Sequence, residues 1–256
     1  MQRLDLSPLV PHLLAGSSNK DIASIDIGTT REKISVGDLF KITGTSGEEI
    51  HFEGGSERFD RIGHAMRGGQ IIVEGEVGVE AGRLMESGNI VIRGDAGAYA
   101  GSGMSGGRLE IVGNAGDFLG SAREGEVNGM SRGFIFVRGS AGARAGDRLR
   151  RGTIVVEKHA GDWPGSRMIA GTLIVLGQSG INPGYLMRRG TILLGKASPL
   201  PATFVDSGVF DSSFTRLFSR LLRPESRNTA KLFNQPLQRF AGDMAVLGKG
   251  EILTPP

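Results

Sequence analysis

The chain of 256 residues contains no cysteine, one tryptophan, two tyrosines and four histidines. Without cysteine it can form no disulfide, thiolate metal site, iron–sulfur cluster or thiol nucleophile, and a reducing cytoplasm is the expected compartment. His12, His51, His64 and His159 stand far apart, with no H-x-H or H-E-x-x-H spacing, so no metal site is expected. No apolar run approaches the length of a membrane span. A formal charge of +3 is too mild to imply nucleic acid, and Trp163, Tyr99 and Tyr185 are too few for an interleaved stacking platform. Carboxylates are scattered among turns, and no catalytic residue is expected.

Glycine, by contrast, is abundant, at 42 residues, and it is periodic. A landmark recurs at Met66, Met85, Met104, Met130, Leu149, Met168 and Met187, in steps of 19, 19, 26, 19, 19 and 19. Glycine stands three places after each landmark and returns at twelve and sixteen. Apolar, mostly β-branched residues stand at five and seven, as in Ile90-Val91-Ile92. A fixed period of this size marks a solenoid. Alternating β-branched residues favour strands, and glycines this frequent would destroy a helix. Nineteen residues hold short strands and tight corners, wound once.

The expected fold is therefore all-β: a right-handed parallel β-helix of about seven 19-residue coils over residues 62–195. The columns at zero, five and seven should point inward. Residues 1–61 break the repeat and read as a β-rich cap with an irregular first coil: Asp21–Ile27 alternates weakly, and Asp38–Ile42 reads as a strand. Glu49–Gly54 resembles the later strands but sits two residues out of register. Residues 196–256 form a C-terminal tail, with an amphipathic helix expected over Asp211–Leu222 and short strands from Arg239. A seven-residue insertion around Ala122–Asn128 should form a surface loop. The column at six (Ile72, Val91, Glu110, Phe136, Val155, Ile174, Leu193) is nearly all apolar yet should point outward. It needs a cover, from the tail or from another subunit. Gly101–Gly106 matches G-x-G-x-x-G, but both flanks are solenoid strands, so no dinucleotide site is expected.

Charge separates the repeats. Residues 62–129 carry five basic and nine acidic side chains, and residues 130–195 carry ten basic and three acidic. Arg132 and Arg151 share a column, as do Arg148 and Arg167. With Arg138, Arg144 and Arg150 they form a candidate surface for a polyanion, or a docking patch for an acidic subunit.

The Gly-x-x-Met-x-x-Gly-x-Ile-x-Val-x-Gly-x-x-Gly repeats resemble the β-helical domain of the large glutamate synthase subunit. With Gly37–Phe40, the Phe/Leu-rich segment and the closing Arg239–Asp243 and Gly248–Leu253 stretches, the chain is more similar to the C subunit of formylmethanofuran dehydrogenase. A related formyltransferase/hydrolase complex of methylotrophic bacteria has a C subunit of this kind, and the arginine-rich, lysine-poor composition leans towards it. The resemblance implies a non-catalytic structural subunit of a heteromeric complex in one-carbon metabolism. That complex moves formyl from a tetrahydromethanopterin carrier through a methanofuran-type carrier to formate, with metal in another subunit. This chain alone would bind no cofactor, nucleic acid or membrane. The polyglutamate tail of a methanofuran analogue is the candidate polyanion. A glutamate synthase-like domain and a true tungsten or molybdenum dehydrogenase subunit stay open as alternatives.

Overall fold

The computed structural model describes residues 2–29, 32–196, 198–210, 215, 216, 219, 220, 223 and 227–256. The chain is mostly β with a few short helices. Among the described residues its main sheet has eleven strands in the order β11-β12-β13-β10-β9-β8-β7-β6-β5-β4-β2. From one edge these are β2 (Glu49–Phe52), β4 (Arg67–Val73), β5 (Ser87–Ile92), β6 (Ser105–Ile111), β7 (Arg132–Val137), β8 (Thr153–Val156), β9 (Thr172–Val175) and β10 (Arg189–Leu194). The tail supplies β13 (Lys249–Thr254), β12 (Leu237–Gly242) and β11 (Val205–Phe210). Two further strands, β1 (Leu4–Asp5) and β3 (Phe59–Asp60), form a small parallel pair.

The register follows the period. Ile71 pairs with Ile90, Ile90 with Leu109, Leu109 with Ile135, and so on to Ile192 with Ile252. All pairs from β2 to β13 are parallel; only the two tail pairs, β11–β12 and β12–β13, are antiparallel. Glu49–Phe52 joins as the first strand, with Ile50 opposite Ile71, which is the two-residue offset seen in the sequence. A second row of parallel bridges runs Ser56–Val77–Ala96–Ala115–Ala141–Ala160–Ser179, the small-residue column at eleven.

The columns at zero, five and seven are buried throughout the repeats, from Met66, Ile71 and Val73 to Met187, Ile192 and Leu194. The glycine columns do two jobs. At three, Gly152 has φ +95°, a conformation costly for any residue with a Cβ. At twelve, a Cβ on Gly97 would lie 2.7 Å from the Gly78 carbonyl oxygen in the preceding repeat, so close approach is the constraint there.

The outward column at six is covered over half its length. Phe136, Val155, Ile174 and Leu193 are fully buried in a second apolar cluster with Phe233, Leu237 and Leu253 of the tail, whereas Ile72 and Val91 stay half-buried. The cover comes from β12, β13 and the end of α4 (Arg227–Leu232). The helix expected over Asp211–Leu222 lies largely outside the described residues.

The N-terminal segment differs from its expected β-rich form. It contains α1 (Pro11–Leu14), α2 (Asn19–Ala23) and α3 (Val36–Leu39). Asp21 and Asp38, expected within extended segments, instead complete capping boxes with Ser18 and Ser35. Each carboxylate accepts from the cap residue's N–H and hydroxyl, which starts a helical turn that the weak alternation could not oppose.

Candidate functional site

The seven candidate arginines divide according to which side of the inward-pointing landmark column they leave. Arg132, Arg150 and Arg151 follow their landmarks, where the chain turns into the main strand, and all are exposed. Arg188 and Arg189 repeat the position beside β10, and the exposed Lys249 sits opposite Arg189. Among the described residues none of these six cations lies within ion-pairing distance of a carboxylate. Neighbouring strands are about 4.8 Å apart, so like charges crowd along this edge with no internal counter-ion.

Arg144, Arg148 and Arg167 precede their landmarks and gather on one carboxylate. Asp147 is 2% exposed. It accepts from Arg167 Nε at 2.9 Å and Nη2 at 2.8 Å, and from the buried Ser166 hydroxyl. Arg144 and Arg148 stand at 3.9 and 4.0 Å from its oxygens, outside hydrogen-bond reach. Arg144 also lies over Trp163, 5.0 Å from the ring centroid, and Arg148 donates to the Glu126 carbonyl. Arg138 is placed elsewhere, on the outer sheet face. It pairs with Glu110 at 2.7 Å and covers Phe136.

Sequence reasoning misses a second buried carboxylate. Glu80, 5% exposed, is ringed by Arg61, Arg83 and Arg123 at 3.1, 3.9 and 3.2 Å. The insertion closes the gap between the two clusters: Glu126 receives Arg83 at 2.6 Å, and Arg123 lies over Tyr99 at 4.4 Å. The expected loop is therefore pinned at both ends, with Val127 projecting at 75% exposure. The signal is present in the spacing, because Arg61 and Glu80 stand 19 residues apart and so share a column in neighbouring turns of the repeat.

Burial pushes the carboxyls of Glu110 and Glu126 upward, but arginine outweighs it. Hydrogen bonds from Arg138 and Arg108 hold Glu110 below the usual glutamate range, and Arg83 with the Arg123 N–H does the same for Glu126. A depressed folded-state pKa contributes stability above the unfolded value and loses it as pH falls through the folded one. The apparent melting temperature should therefore decline as pH drops below the ordinary glutamate range. Glu110→Gln with Glu126→Gln should flatten that decline, and an unchanged pH profile of the double variant would count against it.

The spacing Gly-x-Ser-x-Gly occurs twice, at Gly103–Gly107 and Gly129–Gly133. Neither serine makes a hydrogen bond to a histidine among the described residues, and Ser131 instead donates to the Met104 carbonyl. Among the described residues no group of three or more His, Asp or Glu could hold a metal ion. None of their helices is long and apolar enough to cross a membrane.

No family model matches the chain. It is 52% identical over 257 aligned positions, 99% of this chain and 96% of the relative, to the C subunit of the formyltransferase/hydrolase complex Fhc of Methylorubrum extorquens. The chain belongs to the family of Fhc C subunits. It also superposes on a chain of the crystal structure of the formyltransferase/hydrolase complex FhcABCD from the same organism, solved in complex with methylofuran. That match has a TM-score of 0.96 and 41% identity in the structural alignment, and covers 100% of this chain and 96% of the other. Family membership thus extends over the N-terminal segment, the repeats and the tail together.

Proposed function

We propose that this chain is the non-catalytic, structural C subunit of a formyltransferase/hydrolase complex. Its complex moves formyl from a tetrahydromethanopterin carrier through a methanofuran-type carrier to formate, in the cytoplasm, with the metal in another subunit. The observation that carries this reading is the full-length likeness to an Fhc C subunit. In the same reading, residues 62–195 wind as a right-handed parallel β-helix. The two rows of parallel pairing, along the main strands and along the column at eleven, support one turn per repeat. Residues 1–61 and 196–256 then close its ends.

Within the complex, the arginine-rich edge would hold the anionic tail of the carrier. Arg132, Arg150 and Arg151 suit this role because they are exposed and, among the described residues, carry no counter-ion. Arg138 and Arg167 are already paired with Glu110 and Asp147, and Arg144 and Arg148 leave the landmark column on its other side, so these four would add field to this edge rather than direct contacts. Each exposed pair contributes only ~0.2–1 kcal/mol, so retention needs several together.

Co-expression with the other subunits of its complex tests the proposal. Formyl transfer and hydrolysis should appear in the assembled complex and be absent from the purified single chain; turnover by the single chain would overturn the structural role. Changing Arg132, Arg150 and Arg151 to Gln should leave assembly intact and release carrier at moderate salt. Unchanged carrier content at that salt would remove these arginines from the site.

A further inference from the structure

We propose that the corner bearing the insertion is the face on which this chain docks an acidic surface of another protein subunit, an inference that rests on its membership of a multi-subunit complex. Fourteen places after successive landmarks stand Glu80, Tyr99, Phe118, Arg144, Trp163 and Asn182, all with φ between 54° and 64°. Glycine or asparagine meets that conformation at little cost, whereas bulky residues are strained there. Four of the six positions nonetheless hold Tyr, Phe, Arg or Trp. Strained positions with large side chains mark a surface on which those side chains are used.

The side chains form two stacks along this ladder. Arg123 covers Tyr99; the Tyr99 and Phe118 rings stack 4.7 Å apart and within 4° of parallel; Arg144 covers Trp163. Beside the ladder stand three hydrophobic side chains without a full cover: Val127 at 75% exposure, Ile181 at 52% and Tyr185 at 45%. Arg, Trp and Tyr held rigid by neighbours are the residue types that dominate protein interfaces, because little side-chain entropy remains to be lost on binding.

Charge decides the kind of partner. Around Asp147 three guanidinium groups face one carboxylate, and Arg144 and Arg148 are too far from it to spend their donors there. The Asp147 end of the corner is thus preorganised and still positive, which suits carboxylates on the approaching surface, whereas at the insertion end Glu80, Glu124 and Glu126 balance Arg61, Arg83 and Arg123.

The test uses the assembled complex with two paired variants at exposed positions, Val127→Glu with Tyr185→Glu, and Val127→Lys with Tyr185→Lys. An acidic partner should tolerate the lysines within about threefold of wild-type affinity and lose about tenfold or more with the glutamates. Lys158→Glu with Gln178→Glu, exposed on another face, should assemble normally. Equal assembly of the Glu and Lys pairs would overturn the docking face. If the glutamate pair fails to fold, arginine-selective footprinting of wild-type complex decides. Protection of Arg144 and Arg148 on assembly supports the face, and full reactivity overturns it. Protection that instead follows removal and return of the carrier would assign the corner to the carrier. Failure of the wild-type chain to join any complex would overturn the proposed function itself, and is read separately from the variants.

Discussion

Ile111→Asp, or Val156→Asp, should leave the chain unable to reach its folded state in useful yield. Both side chains have no exposed surface. Ile111 lies between Ile92 and Val137 in the ladder of its column, and Val156 between Val137 and Val175. Replacing either removes about 1.5–3 kcal/mol of apolar burial. It also forces a carboxyl group into a site with no partner, which either stays neutral at the cost of its hydration or opens the stack. Together these reach several kcal/mol against a total stability of about 5–15 kcal/mol. The defect should also spread, because each repeat is held by the repeats on either side of it. Ile111→Val, which keeps the column apolar, should cost only about 0.5–1.5 kcal/mol. Soluble yield, far-UV circular dichroism and chemical denaturation of the three proteins measure this. An aspartate variant melting within a few degrees of wild type would show that the column does not face a packed interior.

Asp147→Asn is the second large effect expected, a loss of about 3 kcal/mol in stability. The substitution preserves shape but removes the one carboxylate that the described residues place among Arg144, Arg148 and Arg167, and the amide turns one of the two oxygens that accept from Arg167 into a donor. Three like charges then converge on a buried site without compensation. The change should fall mainly on the corner, loosening the insertion, whose Ala122 N–H donates to the Asp147 carbonyl and whose Gly129 N–H donates to that of Arg148. Removing an exposed pair is a useful contrast. Arg67→Gln, which breaks only the surface contact with Glu86, should cost about 0.2–1 kcal/mol. If Asp147→Asn costs no more than Arg67→Gln by denaturant titration, the carboxylate does not organise the corner. Arg167→Gln added to Asp147→Asn should return part of the loss, because one of the uncompensated charges leaves with it.

The side-chain period determined most of what could be read without coordinates. A repeat of 19 residues places each residue beside its counterpart one repeat along, so the columns at zero, five and seven, the strand register and the offset of Ile50 against Ile71 were all legible. The apolar column at six announced a cover in the same way, because outward Phe136, Val155, Ile174 and Leu193 cannot face water together. Its length did not: Phe233, Leu237 and Leu253 reach only the C-terminal half, a consequence of where the antiparallel tail strands pair. Local competition escaped the pattern as well. In the N-terminal segment two serine–aspartate capping boxes outweighed weak alternation and produced α2 and α3. The arginines show the boundary most sharply. Periodicity aligned Arg148 with Arg167 and Arg132 with Arg151, but it says nothing of lateral neighbours around a corner. Those depend on left-handed turns at Arg144, Arg148 and Arg167 that aim three guanidinium groups at Asp147 while Arg132, Arg150 and Arg151 stay outside in solvent.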